Sequence, residues 1–428
     1  MATTSPSAAR IGLALAGGGP LGAVYEIGAL RALEEALDGV DLTAVDRYVG
    51  VSAGSFVAAS LANGIAPAEL VRMLVRHQPG EIPFDASAFF EPALVEWARR
   101  GLRLPRLVAE SLWGFVARPR EHTMGMALSH LSRALPVGLF ENEPIRRYVH
   151  ALLTRPGRTD DFRVLRQRGR DLVIVSADLG AGRAVRLGGP GWEDVPISRA
   201  VQASTAVPGF YTPVRIRGRY HVDGAVLKTV HASVLLEKGV DLLLVVNPIV
   251  PIDTTSERRR DAVREPDLVE EGLPMVLSQT VRAVLDSRMR ATLARYRHHA
   301  PTTDVLLFEP GRDEYGLFFA PMFSFHARER ICALAYVTTL RDLRRRRARL
   351  APRLARHGIT LRDDVLSHDA DDLWRGVGLR PGRGHPPGAR RRDDGAEERR
   401  VARERRALPR RVTPGSAAPS RRRNARSP

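Results

Sequence analysis

One serine in this chain stands in surroundings that could make it a nucleophile. Gly50-Val51-Ser52-Ala53-Gly54 is a G-x-S-x-G motif, in which a serine lies on a sharp strand-to-helix turn with its hydroxyl exposed. The flanking glycines, Gly50 and Gly54, keep the crowded turn free of Cβ clashes. An apolar run before Ser52 and apolar residues at helical spacing after it predict this context. We interpret Ser52 as a nucleophile; the motif alone also fits an ordinary turn of small residues.

A glycine-rich segment after the first apolar run is the second chemical element. It contains Gly17, Gly18, Gly19 and Gly22 and opens a predicted helix. Backbone N–H groups in such a loop can point at an anion, and beside an activated serine they form an oxyanion hole. The same residues fit the G-x-G-x-x-G fingerprint of dinucleotide binding. That fingerprint needs an acidic residue at the end of the second strand, where this sequence has Gly50-Val51-Ser52, so the oxyanion hole is preferred.

The third element is Asp223, which follows the predicted strand Tyr220–Val222 and precedes Gly224 and Ala225. A carboxylate at a strand end, held by a glycine turn, can reach a serine on a neighbouring strand. Aspartate in water has a pKa of about 3.9 and is a poor base for a hydroxyl. Burial and hydrogen-bond geometry would have to raise its basicity. An isolated Asp-Gly pair is most often a plain turn.

Histidine offers an alternative base. A conventional α/β-hydrolase uses serine, an acid and a histidine in that order, and His221, His231, His298 and His326 are available. His221 lies two residues before Asp223 and would share its face of a strand. The Asp-Gly-Ala motif and the order of the elements favour a dyad without histidine. A non-catalytic relative of a hydrolase would lack the nucleophile or the base, and both are present here.

Taken together, these elements resemble the patatin-like phospholipase family. That family has a glycine-rich oxyanion loop, a G-x-S-x-G nucleophile elbow and a D-G-A or D-G-G motif, in this order. The stretch Ala203–Pro213 also resembles its block upstream of the aspartate. The resemblance covers roughly Ile11 to Val240. It implies that Ser52 is the nucleophile, that Asp223 is the proton acceptor, and that lipid acyl esters are hydrolysed through an acyl-serine.

Leu21 departs from the pattern of this family. The glycine loop usually has Arg or Lys just before its last glycine, and Leu21 occupies that position here. If the basic residue helps to hold a phosphate, this chain lacks that contribution. The expected substrate is therefore an acyl ester in general, and the phospholipase A, lysophospholipase and esterase types all remain open.

Alternating apolar runs predict the elements that position these residues. The predicted strands are Ile11–Ala16, Arg47–Val51, Leu172–Ala177, Ala184–Leu187, Tyr220–Val222, Leu242–Val246 and Val305–Phe308. Helices are predicted at Gly22–Leu37, Ser52–Leu61 and His326–Arg356, with others between the later strands. Strands that alternate with helices indicate an α/β domain with three layers, in which a mostly parallel sheet is flanked by helices.

The predicted domain organisation has three parts. Residues 10–250 form the catalytic domain, and residues 251–375 form an extension of helices and a strand packed on it. Within the extension, Ile252–Gly272 is rich in Arg, Asp and Glu and is predicted to be a solvated loop. Residues 376–428 contain Arg, Pro, Gly and Ala with almost no apolar side chains, which predicts a disordered tail.

The segment Pro83–Leu139 interrupts the strand–helix rhythm and predicts a helical insertion at about residues 80–140. Its aromatic residues lie close in sequence to arginines: Trp97, Trp113 and Phe115 near Arg99, Arg100, Arg103 and Arg118. Aromatic rings beside arginine suit a membrane interface. The alternative is a helical cap whose aromatic side chains fill its own small core.

Composition restricts the class of partner. The formal net charge is +18, but residues 376–428 alone contain 16 Arg and five acidic residues. Only two of the 66 basic residues are Lys, Lys228 and Lys238, and this bias weakens any inference from Arg content to nucleic acid. A tail without stacking aromatics gives no reason to expect a nucleic-acid partner. The expected partner is a lipid or ester substrate, with mild attraction to anionic membrane surfaces.

Cysteine content and apolar runs indicate the compartment. Cys332 is the only cysteine, which excludes an intramolecular disulfide and fits a reducing cytoplasm. Ile11–Ala16 is too short for the apolar part of a signal peptide, and no run of about 18 apolar residues could span a membrane. No His, Cys or Asp cluster has metal-ligand spacing, so neither a metal nor a cofactor is predicted.

Overall fold

A computed structural model describes residues 9–76, 90–117, 123–253, 268–270, 272–311 and 325–379. The predicted tail and most of the predicted loop Ile252–Gly272 lie outside the described residues. The strands are β1 (Ile11–Leu15), β2 (Leu37–Asp38), β3 (Arg47–Val51), β4 (Gly138–Phe140), β5 (Asp171–Asp178), β6 (Arg183–Leu187), β7 (Gly209–Tyr211), β8 (Val214–Ile216), β9 (Arg219–Asp223), β10 (Leu242–Val246), β11 (Asp304–Phe308) and β12 (Thr360–Leu361).

The helices complete an order in which most long strands alternate with helices. They are α1 (Gly19–Ala36), α2 (Ala53–Ala62), α3 (Pro67–Leu70), α4 (Leu94–Gly101), α5 (Leu104–Ala117), α6 (Met124–Ser132), α7 (Glu143–Leu153), α8 (Phe162–Gln167), α9 (Ile197–Ser204), α10 (Ser233–Glu237), α11 (Leu273–His299), α12 (Phe325–Ala355) and α13 (Ala370–Gly376). A π-helical turn, Val71–Val75, continues α3.

The central sheet has the strand order β11-β10-β1-β3-β5-β9-β8, and β6 also pairs with β5. The five strands β11, β10, β1, β3 and β5 run parallel to one another. The strands β6, β8 and β9 pair antiparallel at the other side. The predicted mostly parallel sheet flanked by helices is therefore confirmed, with an antiparallel side that the apolar runs do not reveal.

Alternate residues of each central strand enter different cores, because successive side chains of a strand point to opposite faces of the sheet. In β1, Leu13 and Leu15 join one hydrophobic cluster, while Ala14 joins the other. The first cluster lies against α1, α2, α7, α9 and α12, and the second lies against α10 and α11. Burial on both faces explains why these strands read as continuous apolar runs.

The register of the sheet places the end of β3, residue Ser176 of β5 and the end of β9 at the same height along the strands. Val51, the last residue of β3, pairs with Val175 of β5, so the next residues in sequence, Ser52 and Ser176, lie at a similar height. Ser176 in turn pairs with Asp223 of the antiparallel strand β9. The end of β9 therefore arrives from the opposite direction at the level where β3 ends.

The predicted long elements are present, with boundaries that differ by three residues at most. The predicted helices Gly22–Leu37 and His326–Arg356 correspond to Gly19–Ala36 and Phe325–Ala355. The strands β2, β4, β7, β8 and β12 were not predicted, because two or three residues are too few to show a period. The helical insertion is confirmed in its described part, where α4, α5 and α6 lie between Leu94 and Ser132.

Helix α12 packs directly against α1, and both helices contribute buried residues to the first hydrophobic cluster. A Cβ atom on Gly28 of α1 would stand 2.3 Å from the Cys332 carbonyl oxygen, so only glycine permits this close crossing. Cys332 is buried at the contact. No helix in the described ranges combines the length and the apolar character that a bilayer span requires.

Candidate active site

Ser52 lies between β3 and α2 in a backbone conformation that few side chains tolerate. Its φ is 52° and its ψ is −128°. A positive φ is uncommon for a residue with a side chain and has to be held by its surroundings. Among the described residues other than glycine, Arg217 is the second with positive φ. The strand–turn–helix context predicted from the G-x-S-x-G motif is thus present, and the turn is strained at the serine.

A buried hydroxyl holds this strained turn from outside the motif. The Ser52 N–H donates to Ser204 Oγ at 2.8 Å, and Ser204 Oγ donates to the Val175 carbonyl oxygen at 2.6 Å. Ser204 is fully buried at the end of α9. On the other side, Ser55 donates through its Oγ, at 2.5 Å, to the Ser52 carbonyl oxygen. Ser204 therefore links the candidate nucleophile to β5.

The glycines of the elbow are required by close backbone packing. A Cβ atom on Gly50 would stand 2.5 Å from the Gly54 carbonyl oxygen, and one on Gly54 would stand 2.4 Å from the Ala16 carbonyl oxygen. The Gly54 N–H also donates to that Ala16 oxygen at 3.1 Å. The elbow is in this way tied to the residue that precedes the glycine-rich loop.

The structure brings Ser52 and Asp223 into direct contact. Ser52 Oγ donates to Asp223 Oδ2 at 2.6 Å, and the Ala225 N–H donates to Oδ1 at 2.8 Å. Burial raises the pKa of Asp223 to about 6, against the two hydrogen bonds, which favour its ionised form. A buried carboxylate with such a pKa, within reach of a hydroxyl, can accept the proton of that hydroxyl near neutral pH.

Gly224 allows Asp223 to reach across the sheet. Strand β5 lies between β3 and β9 in the strand order, so the two partners come from strands that are not adjacent. A Cβ atom on Gly224 would stand 2.3 Å from the Val175 carbonyl oxygen. Because Gly224 has no side chain, the backbone can pass close to β5 at this point. The turn Gly224–Val226 then supplies the Ala225 N–H, which orients the Asp223 carboxylate.

The glycine-rich loop lies beside this pair. A Cβ atom on Gly17 would stand 3.1 Å from Ser52 Cβ and 2.9 Å from Ala225 Cβ. The Gly17 N–H donates to the Thr229 carbonyl oxygen at 3.2 Å, and the Gly22 N–H donates to the Gly18 carbonyl oxygen at 3.0 Å. These two amides are therefore engaged in shaping the loop and the first turn of α1.

Gly18 and Gly19 occupy the N-terminal end of α1, where backbone N–H groups lack helical partners. A Cβ atom on Gly18 would stand 2.6 Å from Pro248 Cγ. Gly19 has a φ of 63°, a conformation that favours glycine. Leu21 is buried in the first hydrophobic cluster, so this position of the loop is packed with an apolar side chain.

The described histidine side chains of the site region lie apart from the hydrogen bond between Ser52 and Asp223. His221 Nδ1 is 2.9 Å from Ser176 Oγ, and its ring packs edge-on against Trp192. Burial lowers the pKa of His221, and burial lowers that of His231 to about 4, so both are neutral near pH 7. Among the described residues, no histidine hydrogen-bonds to Ser52 or Asp223. The side chains of His298 and His326 lie outside the described ones.

The described part of the chain shows no site suited to a metal. Within it, no group of three or more His, Cys, Asp or Glu side chains is arranged to hold an ion. The end of β3, where a dinucleotide-binding domain would present a ribose-binding carboxylate, runs directly into the strained turn at Ser52. What the arrangement can do is move a proton between a hydroxyl and a buried carboxylate.

Nothing local in the sequence singles out Ser204. It lies in the stretch Ala203–Pro213, whose place upstream of Asp223 was the one available signal. The same stretch supports Asp223 through its backbone, because the Asp223 N–H donates to the Ala206 carbonyl oxygen at 2.9 Å. One segment therefore supports both partners of the candidate active site.

The chain matches one protein family in sequence and resembles several solved structures. A sequence model described as Patatin-like phospholipase matches residues 13–236, more than half of the chain. The solved structure of VipD from Legionella pneumophila is 14% identical over 80% of this chain and 67% of that chain, with a TM-score of 0.37. The type III effector ExoU is 16% identical over 94% of this chain and 63% of that chain, with a TM-score of 0.36.

A third structure contains full-length ExoU with full-length SpcU, from the type III secretion system of Pseudomonas aeruginosa. It is 16% identical over 79% of this chain and 53% of that chain, with a TM-score of 0.28. The chain spans about two thirds of the length of these solved structures, or less. The sequence match to residues 13–236 includes the glycine-rich loop, Ser52 and Asp223.

The raised pKa of Asp223 predicts a specific pH dependence of stability. Below about pH 4 the carboxyl is neutral in both the folded and the unfolded protein. As pH rises through about 6, the folded protein has to ionise a buried group, and stability is lost. Asp223→Asn removes this loss, so its free energy of unfolding should gain on the wild type between pH 4 and 7. Two pKa units correspond to about 3 kcal/mol at most.

Urea unfolding at a series of pH values measures this difference. Asp178→Asn is the matched control: a hydrogen bond from Arg219 lowers the pKa of Asp178, so its difference from the wild type should change only below about pH 4 and stay flat between pH 4 and 7. A pH-independent difference between Asp223→Asn and the wild type would contradict the raised pKa.

Proposed function

Because the chain belongs to the patatin-like phospholipase family, we propose that it hydrolyses carboxylic esters of lipids with Ser52 as the nucleophile and Asp223 as the base. The observation that carries the proposal is the 2.6 Å hydrogen bond from Ser52 Oγ to the buried Asp223 carboxylate. Its support from the surroundings is the raised pKa of Asp223 and the strained turn that presents Ser52. The matched family supports lipid hydrolysis in the general sense.

The first half of the reaction acylates the serine. Asp223 accepts the Ser52 hydroxyl proton as Oγ attacks the ester carbonyl carbon, and the carbonyl oxygen becomes negatively charged. The N–H groups of Gly18 and Gly19 are the donors that we propose for this oxyanion, because those of Gly17 and Gly22 are engaged elsewhere. Ser52 also precedes the N-terminus of α2, whose dipole favours negative charge at that point.

The second half releases the two products. The tetrahedral intermediate collapses, the alcohol leaves with the proton held on Asp223, and the acyl group remains on Ser52. Water then attacks the acyl carbon while Asp223 again accepts a proton, and the serine leaves with that proton as the acid is formed. One carboxyl thus acts as base and acid in turn, which suits a pKa of about 6.

The residues at the loop favour acyl esters as a class over one headgroup. Leu21 is buried in the core and offers no charge to a phosphate. We therefore propose recognition through the acyl ester, with phospholipase A, lysophospholipase and esterase activities as the candidate types. Defined lipids that share an acyl chain and differ in headgroup distinguish these types.

The dyad predicts which single substitutions abolish turnover. Ser52→Ala deletes the attacking oxygen, and Asp223→Asn cannot accept its proton, so each should lower kcat by about three orders of magnitude or more. Hydrolysis of a chromogenic short-chain ester measures kcat, and circular dichroism checks the fold. His221→Gln is the matched control at a buried histidine and should change kcat far less. A folded His221→Gln protein as inactive as Ser52→Ala would instead support a serine–histidine mechanism.

Ser204 is predicted to act as a positioning residue. Ser204→Ala leaves the Ser52 N–H without its acceptor and releases the strained turn from β5. An unsatisfied buried donor costs about 1–3 kcal/mol, so kcat should fall roughly tenfold or more while KM changes little. The control is Ser60→Ala, which removes a buried hydroxyl of α2 that bonds to the Phe56 carbonyl oxygen. Equal effects of the two substitutions on kcat would rule out a special role for Ser204.

The glycine-rich loop is predicted to act through its backbone. In Gly18→Ala, the new Cβ atom would stand 2.6 Å from Pro248 Cγ, so the loop and its amides have to move. Loss of one oxyanion donor costs about 10²–10³ in kcat in a known case. Gly101→Ala is the control, because no atom lies within 4 Å of its new Cβ atom. Full turnover by a folded Gly18→Ala protein would remove this loop from the mechanism.

A further inference from the structure

The helical insertion exposes large apolar side chains that a soluble cap would cover. We define the insertion face by Val95 and Leu102 of the α4 region, Leu112, Trp113 and Val116 of α5, and Leu128 of α6. The exposed fractions of Leu102, Trp113 and Val116 are 84%, 70% and 74%. Leu112 and Trp113 lie four and three residues before Val116, so the three share one side of α5, and large exposed apolar patches mark interaction sites.

The exposed residues are distinct from those that hold the insertion together. On α5, Leu107 and Ser111 are buried, whereas Leu112, Trp113 and Val116 are exposed. Trp97 of α4 is also 46% exposed. The alternative that the aromatic side chains fill a small internal core does not fit Trp113, whose side chain is mostly exposed.

The two ends of the insertion are joined to each other and to the stretch Ala203–Pro213. The Ala93 N–H donates to the Leu139 carbonyl oxygen, and β4 pairs in parallel with β7. The rings of Phe90, Phe140 and Phe210 form one aromatic cluster at this junction. Three residues before β7, Ala206 accepts the hydrogen bond from the Asp223 N–H. The insertion that carries the insertion face is therefore bonded to the same stretch, Ala203–Pro213, that supports the proposed base Asp223.

Exposed arginine side chains lie close in sequence to the apolar residues of the insertion face. Arg103 is exposed, and the side chains of Arg99 and Arg106 are 58% and 84% exposed, although Arg106 pairs with the Glu110 carboxylate. The Glu96 carboxylate is buried on the inner side, where it pairs with Arg99 and Arg100. Arginine and tryptophan side by side match the level of lipid headgroups, where rings meet the acyl boundary and guanidinium groups meet phosphate.

We propose that the insertion face docks on the surface of a lipid bilayer that contains anionic lipid. The proposal rests on the proposed function, since it names the aggregate from which the dyad takes its ester. A second copy of the chain is disfavoured as the occupant, because self-association would bring the exposed arginines of two faces together. Docking is peripheral: the apolar side chains enter the headgroup region, and the arginines attract anionic lipid.

Vesicle binding by a catalytically inactive protein tests the proposal without turnover. In the Ser52→Ala background, cosedimentation with phosphatidylcholine vesicles should be weak and should strengthen when phosphatidylglycerol is included. The double substitution Leu112→Asp with Trp113→Asp should weaken that binding at least about tenfold, because two apolar side chains no longer enter the interface. Leu179→Asp is the matched control, since Leu179 is 57% exposed on the turn after β5.

Charge and fold are checked separately. Arg103→Glu changes no apolar side chain and should weaken binding to anionic vesicles while leaving binding to neutral vesicles unchanged. If the double variant fails to fold by urea unfolding, Arg103→Glu decides the question. Vesicle binding that survives both variants, or a wild-type dimer that the double variant converts to monomers without vesicle binding, would overturn the proposal.

Failure of the docking proposal and of the hydrolase proposal can be told apart. With Ser52 intact, the double variant should hydrolyse a soluble short-chain ester like the wild type and should lose activity on anionic vesicles of the same acyl ester. Equal loss on both substrates in a folded protein would overturn docking. Absence of ester hydrolysis in the wild type, together with face-dependent vesicle binding, would overturn the hydrolase and leave docking supported.

Discussion

A single buried hydrogen bond, from Ser52 Oγ to the Asp223 carboxylate, sets the requirements that the surrounding structure meets. A carboxylate removed from water is destabilised in its charged form, and that destabilisation is what raises its pKa toward neutrality. The folded protein keeps this group in place because the strands on either side are held by a sheet whose two faces are both covered. Burial of the Asp223 carboxylate costs free energy, and the burial of apolar side chains in the two hydrophobic clusters offsets that cost.

Close backbone contacts hold the chain segments that carry Ser52 and Asp223 in the positions that this hydrogen bond requires. Three glycines allow the contacts: Gly224 over the Val175 carbonyl, Gly54 against the Ala16 carbonyl, and Gly50 against the carbonyl of Gly54. In each case a Cβ atom would come within about 2.5 Å of an oxygen, so glycine is required by distance rather than by a positive φ. The loop, the elbow and the aspartate turn are therefore packed as one unit, and Ser204 ties that unit to β5.

The insertion differs from most of the domain because it leaves large apolar side chains exposed to solvent. The sheet and most of its helices bury nearly all of their large apolar residues, whereas α4, α5, α6 and the first half of α11 leave many of theirs in solvent. Burial of apolar surface is the main favourable term in folding, so exposed Trp113 and Leu112 make no such contribution to this fold. The bilayer surface that we propose gives them contacts outside the chain.

Local pattern was sufficient for much of this protein. Apolar periodicity predicted β3 and β10 to the residue, and the glycine loop, the elbow and the Asp-Gly-Ala turn were recognisable because each is a contiguous stretch with its own backbone requirement. The tertiary structure decided the rest. It sets β9 antiparallel to β5, so that Asp223 meets Ser52 across an intervening strand, and it recruits Ser204 from 152 residues away. It also engages the N–H groups of Gly17 and Gly22, leaving Gly18 and Gly19 as the proposed donors, and turns Trp113 outward. These outcomes depend on which distant segments come together, and a contact between distant segments leaves no period in the sequence of either one.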